Sequence, residues 1–172
     1  MTSGSPGWPA PVQRVADFLR QAGAEARLEE FEQGTPTAQD AARAVGSELA
    51  QIVKSLVFDC DGRPVLVMVP GDRRADAEKI AAATGGRYAR IAGEEEVRDA
   101  TGFEPGAVAP FPLPKIARVF IDGTLLAHAV VWVGAGSPRH LAALSPMELT
   151  RLARAEQVDA VEGANEAPKG VE

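Results

Sequence analysis

One cysteine, two histidines and one tyrosine among 172 residues leave little material for several kinds of chemistry. The lone Cys60 cannot close an internal disulfide, which fits a reducing, cytoplasmic setting. His128 and His140 stand apart, and no C-x-x-C or H-x-x-x-H spacing exists. The commonest metal ligands are therefore scarce, and neither a metal nor another cofactor is expected. There is no Walker-type Gly-Lys-Ser/Thr and no G-x-S-x-G elbow. No apolar run approaches the roughly 20 residues of a membrane span. The opening segment, residues 1–8, lacks the basic and apolar regions of a secretory signal, so no membrane contact is expected. Basic excess is missing too. The formal net charge is −6, which argues against an extended nucleic-acid-binding face while leaving room for a small local basic site.

What is present is an ordinary globular composition, 45% hydrophobic and 24% charged, enough for a sizeable core. Residues 1–8 read as a flexible lead, 9–155 as one domain, and 156–172 as a mobile tail, acidic and aperiodic. Val12, Val15, Ala16, Leu19 and Ala22 recur at helical spacing, with Gly23 as a stop. Residues 26–31 alternate like an edge strand. Thr37 and Asp40 match a helix-capping pattern, and the helix they open is lined with alanine as far as Gly46. Asp61-Gly62 is a hairpin signal between apolar strands at 51–60 and 64–70. Further helices are expected at 76–84, 93–102 and 145–155, and further strands at 88–91, 116–122 and 129–133. Hairpins interspersed with helices predict an α/β fold with a mixed, mostly antiparallel sheet and surrounding helices.

Lys54 is the singular residue of the 51–60 strand. Period-2 geometry places it on one face with Ile52, Leu56 and Phe58. An ammonium group there is costly unless it reaches water or meets an anion. It is either a snorkelling lysine near a strand end or a functional charge. Two other stretches carry candidate chemistry. Residues 102–114 are so rich in Pro and Gly that neither a helix nor a central strand fits, yet Phe103, Val108, Phe111 and Leu113 should anchor them. They are a rigid connector or a preformed binding wall. Residues 134–138, Gly-Ala-Gly-Ser-Pro, follow a strand. Such a turn can aim backbone N–H groups at an oxyanion, though many hairpins look the same.

Three pieces, in this order, carry a resemblance. They are residues 37–46 with 51–58, residues 100–110, and residues 121–122 through 132–138 to 144–149. Together they resemble the YbaK/ProX family, free-standing relatives of the editing domain inserted in bacterial prolyl-tRNA synthetases. The likeness spans residues 35–153. It implies a barrel-like α/β fold and a trans-editing aminoacyl-tRNA deacylase, an ester hydrolase acting at the tRNA acceptor end. The family's near-invariant lysine falls on Lys54, and its Gly-x-x-x-Pro loop on Gly106 and Pro110. Its glycine-rich pocket loop falls on Gly134, Gly136, Ser137 and Pro138. Phe111-Pro-Leu-Pro114 departs from the Gly-containing turn usual after the loop proline. The implied partners are the acceptor end of an aminoacyl-tRNA and a synthetase. An activated ester needs only positioning and oxyanion stabilisation, with no Ser or Cys nucleophile. The competing readings are a non-catalytic module that binds tRNA or synthetase, and an esterase unrelated to tRNA.

Overall fold

The computed structural model describes residues 7–163. Its centre is a hairpin, β2 (Val53–Cys60) and β3 (Arg63–Pro70), paired antiparallel along its whole length. Asp61 and Gly62 at the tip both have positive φ, 52° and 87°, as a two-residue hairpin turn requires. The Asp59 carboxylate accepts from Gly62 N–H at 2.8 Å and fixes the turn. Both faces of the hairpin are covered, as apolar residues on both parities suggest. Val53, Val57, Leu66 and Met68 face the larger core, while Phe58, Cys60, Val65 and Val67 face a second one with Ile80 and Phe120.

Around this hairpin the order is α1 (Ala10–Gln21), β1 (Ala26–Glu30), α2 (Ala38–Val45), β2, β3, α3 (Ala77–Thr84), β4 (Ala89–Ile91) and α4 (Glu94–Thr101). Then come β5 (Arg118–Asp122), β6 (Val131–Gly134), β7 (His140–Leu144), α5 (Pro146–Ala153) and β8 (Ala155–Val158). Five strands form one sheet, β4-β2-β3-β5-β8, and three form another, β1-β7-β6. Four pairings are antiparallel; β5 runs parallel to both β3 and β8. The mixed, mostly antiparallel α/β architecture is therefore present.

The barrel-like expectation is not supported. The two sheets meet at a single parallel bridge, Ile52 to Trp132, and do not close. The cause is the partner of β5, which lies beside β3 and not beside β6. The strands near residues 116–122 and 129–133 consequently sit in different sheets.

Helix ends follow local chemistry. The Thr37 side chain accepts from Asp40 N–H at 3.0 Å, and Gly46 closes α2 in the left-handed region. Ser145 caps α5 in the same way, with Pro146 at the first helical position.

The mobile-tail expectation from Glu156 onward needs correction for residues 156–163; residues 164–172, like 1–6 of the lead, lie outside the described residues. Residues 155–158 form β8, an edge strand with exposed polar side chains, hence its lack of hydrophobic pattern. Ala160 and Val161 are then buried in the second core. Asp122, itself buried, accepts from Ala160 N–H at 2.8 Å. Asp76 N–H donates to Ala160 O, and Glu162 N–H to Arg74 O, both at 2.8 Å. Burying Val161 contributes about 1.5–3 kcal/mol, and each hydrogen bond about 0.5–1.5 kcal/mol net. Their total is comparable with the roughly 5–15 kcal/mol that holds a domain folded. Ending the chain after Ala155 is therefore expected to abolish the cooperative thermal melt, and Val161→Asp to lower the melting temperature by 10 °C or more. A chain truncated at Ala155 that melts like the full protein would contradict this.

Candidate active site

A cleft of about 240 Å³ opens beside β2. Its position follows from the strand's unequal pairing. The β3 edge of β2 is paired throughout, whereas β4 covers only Phe58–Cys60. Ala92 N–H donates to Val57 O at 2.9 Å, so odd-numbered residues of β2 turn their peptide groups away from β3. By the same alternation the Ser55 N–H and C=O face this unpaired edge. Beyond the Ile52–Trp132 bridge, β2 and β6 diverge, and the cleft fills the gap. Lys54, Ser55, Gly106 and Gly134 line it, together with Thr35 and Thr37 near the start of α2.

Lys54 is half-buried, and its Nζ donates to the Arg73 carbonyl at 2.6 Å. No ion pair to a carboxylate forms at this ammonium among the described residues. Burial, and after it the neighbouring Arg74 charge, holds its pKa below the ordinary lysine range; Asp72 acts in the opposite direction. The side chain is thus held by one main-chain carbonyl.

Glu104 O accepts from Ala107 N–H at 2.9 Å, closing a turn with Pro105 second and Gly106 third. Gly106 has φ +84°, the left-handed value that a type II turn requires at that place. It is exposed, and a Cβ built on it would meet nothing within 4 Å. From Ala107 the segment is buried. At Gly134 a Cβ would fall 2.7 Å from Val108 O, so the loop backbone lies directly on β6. Gly134 thereby sets the distance between two walls of the cleft.

The other predicted site residues lie elsewhere. Pro110 is buried and lines a separate cavity of about 760 Å³, with Phe18, Phe111 and Leu113. Phe111 stacks on Phe18 with ring centroids 5.0 Å apart, so the unusual Phe111–Pro114 turn belongs to that cavity. Residues 135–139 form the β6–β7 hairpin loop. Gly136, with φ +105°, is pressed against α1: a Cβ there would meet the Pro11 carbonyl group at 2.9 Å. Ser137 Oγ is 2.6 Å from His140 Nδ1 and accepts from Arg139 N–H at 2.9 Å. The Pro138 carbonyl accepts from Thr35 N–H at 2.6 Å and from Thr35 Oγ1 at 3.1 Å. These residues support the Thr35 wall from behind. Ala135 N–H is spent on His140 O, and Arg139 N–H on Ser137, so neither is available to an oxyanion.

The sequence reading passed over Ser55, whose Oγ is buried without a partner among the described residues. It also passed over the first turn of α2, whose N–H groups have no intrahelical acceptor and lie where Thr37 and Ala38 line the cleft. An unpartnered hydroxyl leaves no trace in a sequence.

The arrangement suits positioning and charge stabilisation better than nucleophilic attack. Lys54 and Ser55 leave β2 on opposite faces, so the ammonium group is not a base for that hydroxyl. The Ser137–His140 pair lines none of the cavities described, and the buried His140 Nε2 has no hydrogen-bond partner among the described residues to orient it. Burial pushes the His140 pKa down and favours the neutral ring. Among the described residues, no three His, Cys, Asp or Glu side chains gather in a metal-binding group. No described helix is long and apolar enough to cross a membrane.

Similarity to known proteins converges on this region. The uncharacterized protein YwhH of Bacillus subtilis (strain 168) is 33% identical over 140 residues, covering 81% of this chain and 88% of that one. A proline–tRNA ligase of Maridesulfovibrio salexigens is 38% identical over 93 residues, which are 54% of this chain but only 16% of the ligase. A crystal structure of a protein proposed as a trans-editing enzyme for prolyl tRNA synthetase superposes with a TM-score of 0.84 at 38% identity, covering 94% of this chain and all of that one. The profile of one family, described as the aminoacyl-tRNA editing domain, matches residues 32–152, which include Lys54, the Gly106 turn and the β6–β7 loop. The chain therefore belongs to the aminoacyl-tRNA editing domain family.

Proposed function

We propose that this protein hydrolyses the ester between a wrongly attached amino acid and the 3′-terminal adenosine of a tRNA, acting in trans. The observation that carries the proposal is Lys54, an ammonium group with no carboxylate ion pair among the described residues, held at a cleft in a chain of this family. Water adds to the ester carbonyl, negative charge develops on its oxygen, and the ribose hydroxyl leaves as the carboxylic acid forms. Lys54 stabilises that charge, and the N–H groups at the Ser55 edge and the start of α2 orient the aminoacyl group. The ribose's own free hydroxyl activates the water, as the family resemblance implies. At about 240 Å³ the cleft is smaller than the roughly 300–1,000 Å³ of pockets that enclose drug-sized ligands. An aminoacyl group fits that scale, and the rest of the tRNA stays outside. A local grip on the acceptor end is compatible with a net charge of −6. Likeness to proline–tRNA ligases supports tRNA handled by prolyl-tRNA synthetase as the substrate class, with that synthetase as a partner. The Phe111–Pro114 turn, where the sequence departs from the family pattern, lines a different cavity from the one that holds Lys54.

Lys54→Ala is expected to lower kcat/KM on a responsive mischarged tRNA by at least 100-fold, about 2.7 kcal/mol, with circular dichroism and melting temperature near those of the parent. The charged form is the active one. Because the folded protein holds the Lys54 pKa below the ordinary range, enzymatic turnover should fall with rising pH before a free lysine would lose its proton. Rates corrected for spontaneous ester hydrolysis check this; a steady rise through alkaline pH would make Lys54 a base and contradict the charge role.

Gly106→Val places a branched side chain in the open mouth of the cleft, at a φ that such residues avoid. The expected result is at least a tenfold loss of kcat/KM, with the melting temperature lowered by only a few degrees. A folded variant with unchanged kcat/KM would return this turn to the role of connector.

A further inference from the structure

The loop from Gly71 to Asp76 joins β3 to α3 and passes directly over Lys54. Its Arg73 carbonyl takes the Lys54 ammonium at 2.6 Å. It is held as firmly as a strand. Ala75 bridges Val161, Asp76 N–H donates to Ala160 O at 2.8 Å, and Glu162 N–H donates to Arg74 O at 2.8 Å. The Asp76 carboxylate turns back to cap α3, accepting from Glu78 N–H at 3.0 Å and Lys79 N–H at 3.2 Å. Gly71 is enclosed where the loop begins, since a Cβ there would lie 2.7 Å from Leu49 O. A loop fixed in this way presents its side chains at low entropic cost.

The loop carries Asp72, Arg73, Arg74 and Asp76, and the Asp76 carboxylate is already engaged in capping α3. The Arg74 side chain is 85% exposed, and its Nε lies 4.0 Å from Glu162, a distant and solvated contact. Arg73 Nε is 3.9 Å from Asp72. Arg74 directly follows Arg73, whose carbonyl takes the Lys54 ammonium, and its charge disfavours the protonated form of Lys54. A doubly coordinated anion would relieve the repulsion and replace the weak Glu162 contact. A guanidinium is suited to phosphate, which it grips with two parallel N–H donors.

We infer that Arg74 is a phosphate-binding residue for the nucleotide strand that carries the ester, docking its sugar-phosphate backbone on the Gly71–Asp76 loop while the aminoacyl group enters the cleft. This rests on the proposed tRNA substrate and adds to it the direction of strand approach, across the β3–α3 loop. Residues Ala160–Glu162 act as the strap that holds this loop in place.

The test is equilibrium binding of uncharged tRNA by fluorescence anisotropy across a series of salt concentrations. The proteins compared are the parent, Arg74→Ala, Arg74→Lys, and Arg87→Ala as a control that removes an equal charge elsewhere on the surface. Arg74→Ala should weaken binding at low salt by fivefold or more. It should also reduce the slope of log K against log salt by about one, the loss of one phosphate contact. Arg74→Lys should keep the slope, and Arg87→Ala should change neither quantity. Because binding is read without hydrolysis, a chain that binds in this pattern yet deacylates no tRNA would sink the proposed activity and leave this inference standing. Deacylation together with unchanged affinity and slope for Arg74→Ala would overturn the inference. So would equal losses for Arg74→Ala and Arg87→Ala, which would reduce the effect to net charge.

Discussion

The unequal pairing of β2 governs this molecule. The strand is apolar on both faces and is buried from two sides, which fixes it at the junction of two cores. Its β3 edge is paired throughout, but its other edge is paired only where β4 reaches it. Between that point and the bridge at Ile52 the strand borders an opening and not a neighbour. Unsatisfied peptide groups at a sheet edge invite another chain or a ligand. Here Gly134, the Gly106 turn and the start of α2 narrow the opening to one small cleft. Because the core clamps β2, the groups along its edge are held without further support, and Lys54 at its end needs only the Arg73 carbonyl to define its position.

The family resemblance and the local signals made much of this legible in the sequence. Asp61-Gly62 announced the central hairpin because both residues tolerate positive φ. Thr37, Ser145, Gly46 and Gly102 marked helix ends through their capping geometry. What stayed hidden has physical causes. Strand β7 is buried on every residue and contains Ala142 and Ala143, so it shows neither alternation nor β-branching, and it forms only because β1 and β6 flank it. Strand β8 hides behind Glu156 and Gln157, which face solvent at a sheet edge, and the two small residues that follow carry the burial. Closure into a barrel failed for a reason of topology: the parallel partner of β5 is set by long-range packing that no local window contains.

The site was legible in part for related reasons. Lys54, Gly106 and Gly134 converge on one cleft from three distant stretches. Gly136, Ser137 and Pro138 act one step behind, pressing on α1 and holding Thr35 through a carbonyl. Pro110 faces another cavity altogether. A motif records which residues matter to a loop, but not whether each touches the ligand or shapes the wall. Ser55 and Arg74 looked unremarkable as letters. Their significance comes from an unpartnered oxygen in one case and an exposed, distantly paired guanidinium in the other.

The central claim is that this cleft breaks the ester of a mischarged tRNA. The most direct measurement is a panel of tRNAs, each charged with a different amino acid, incubated with the full chain beside simple aminoacyl esters lacking RNA. The account predicts rapid release of at least one amino acid from a wrongly charged tRNA, slow or no release from the correctly charged one, and little turnover of the simple esters. Absence of release from every charged tRNA would contradict it, as would turnover of the simple esters at rates equal to those on tRNA.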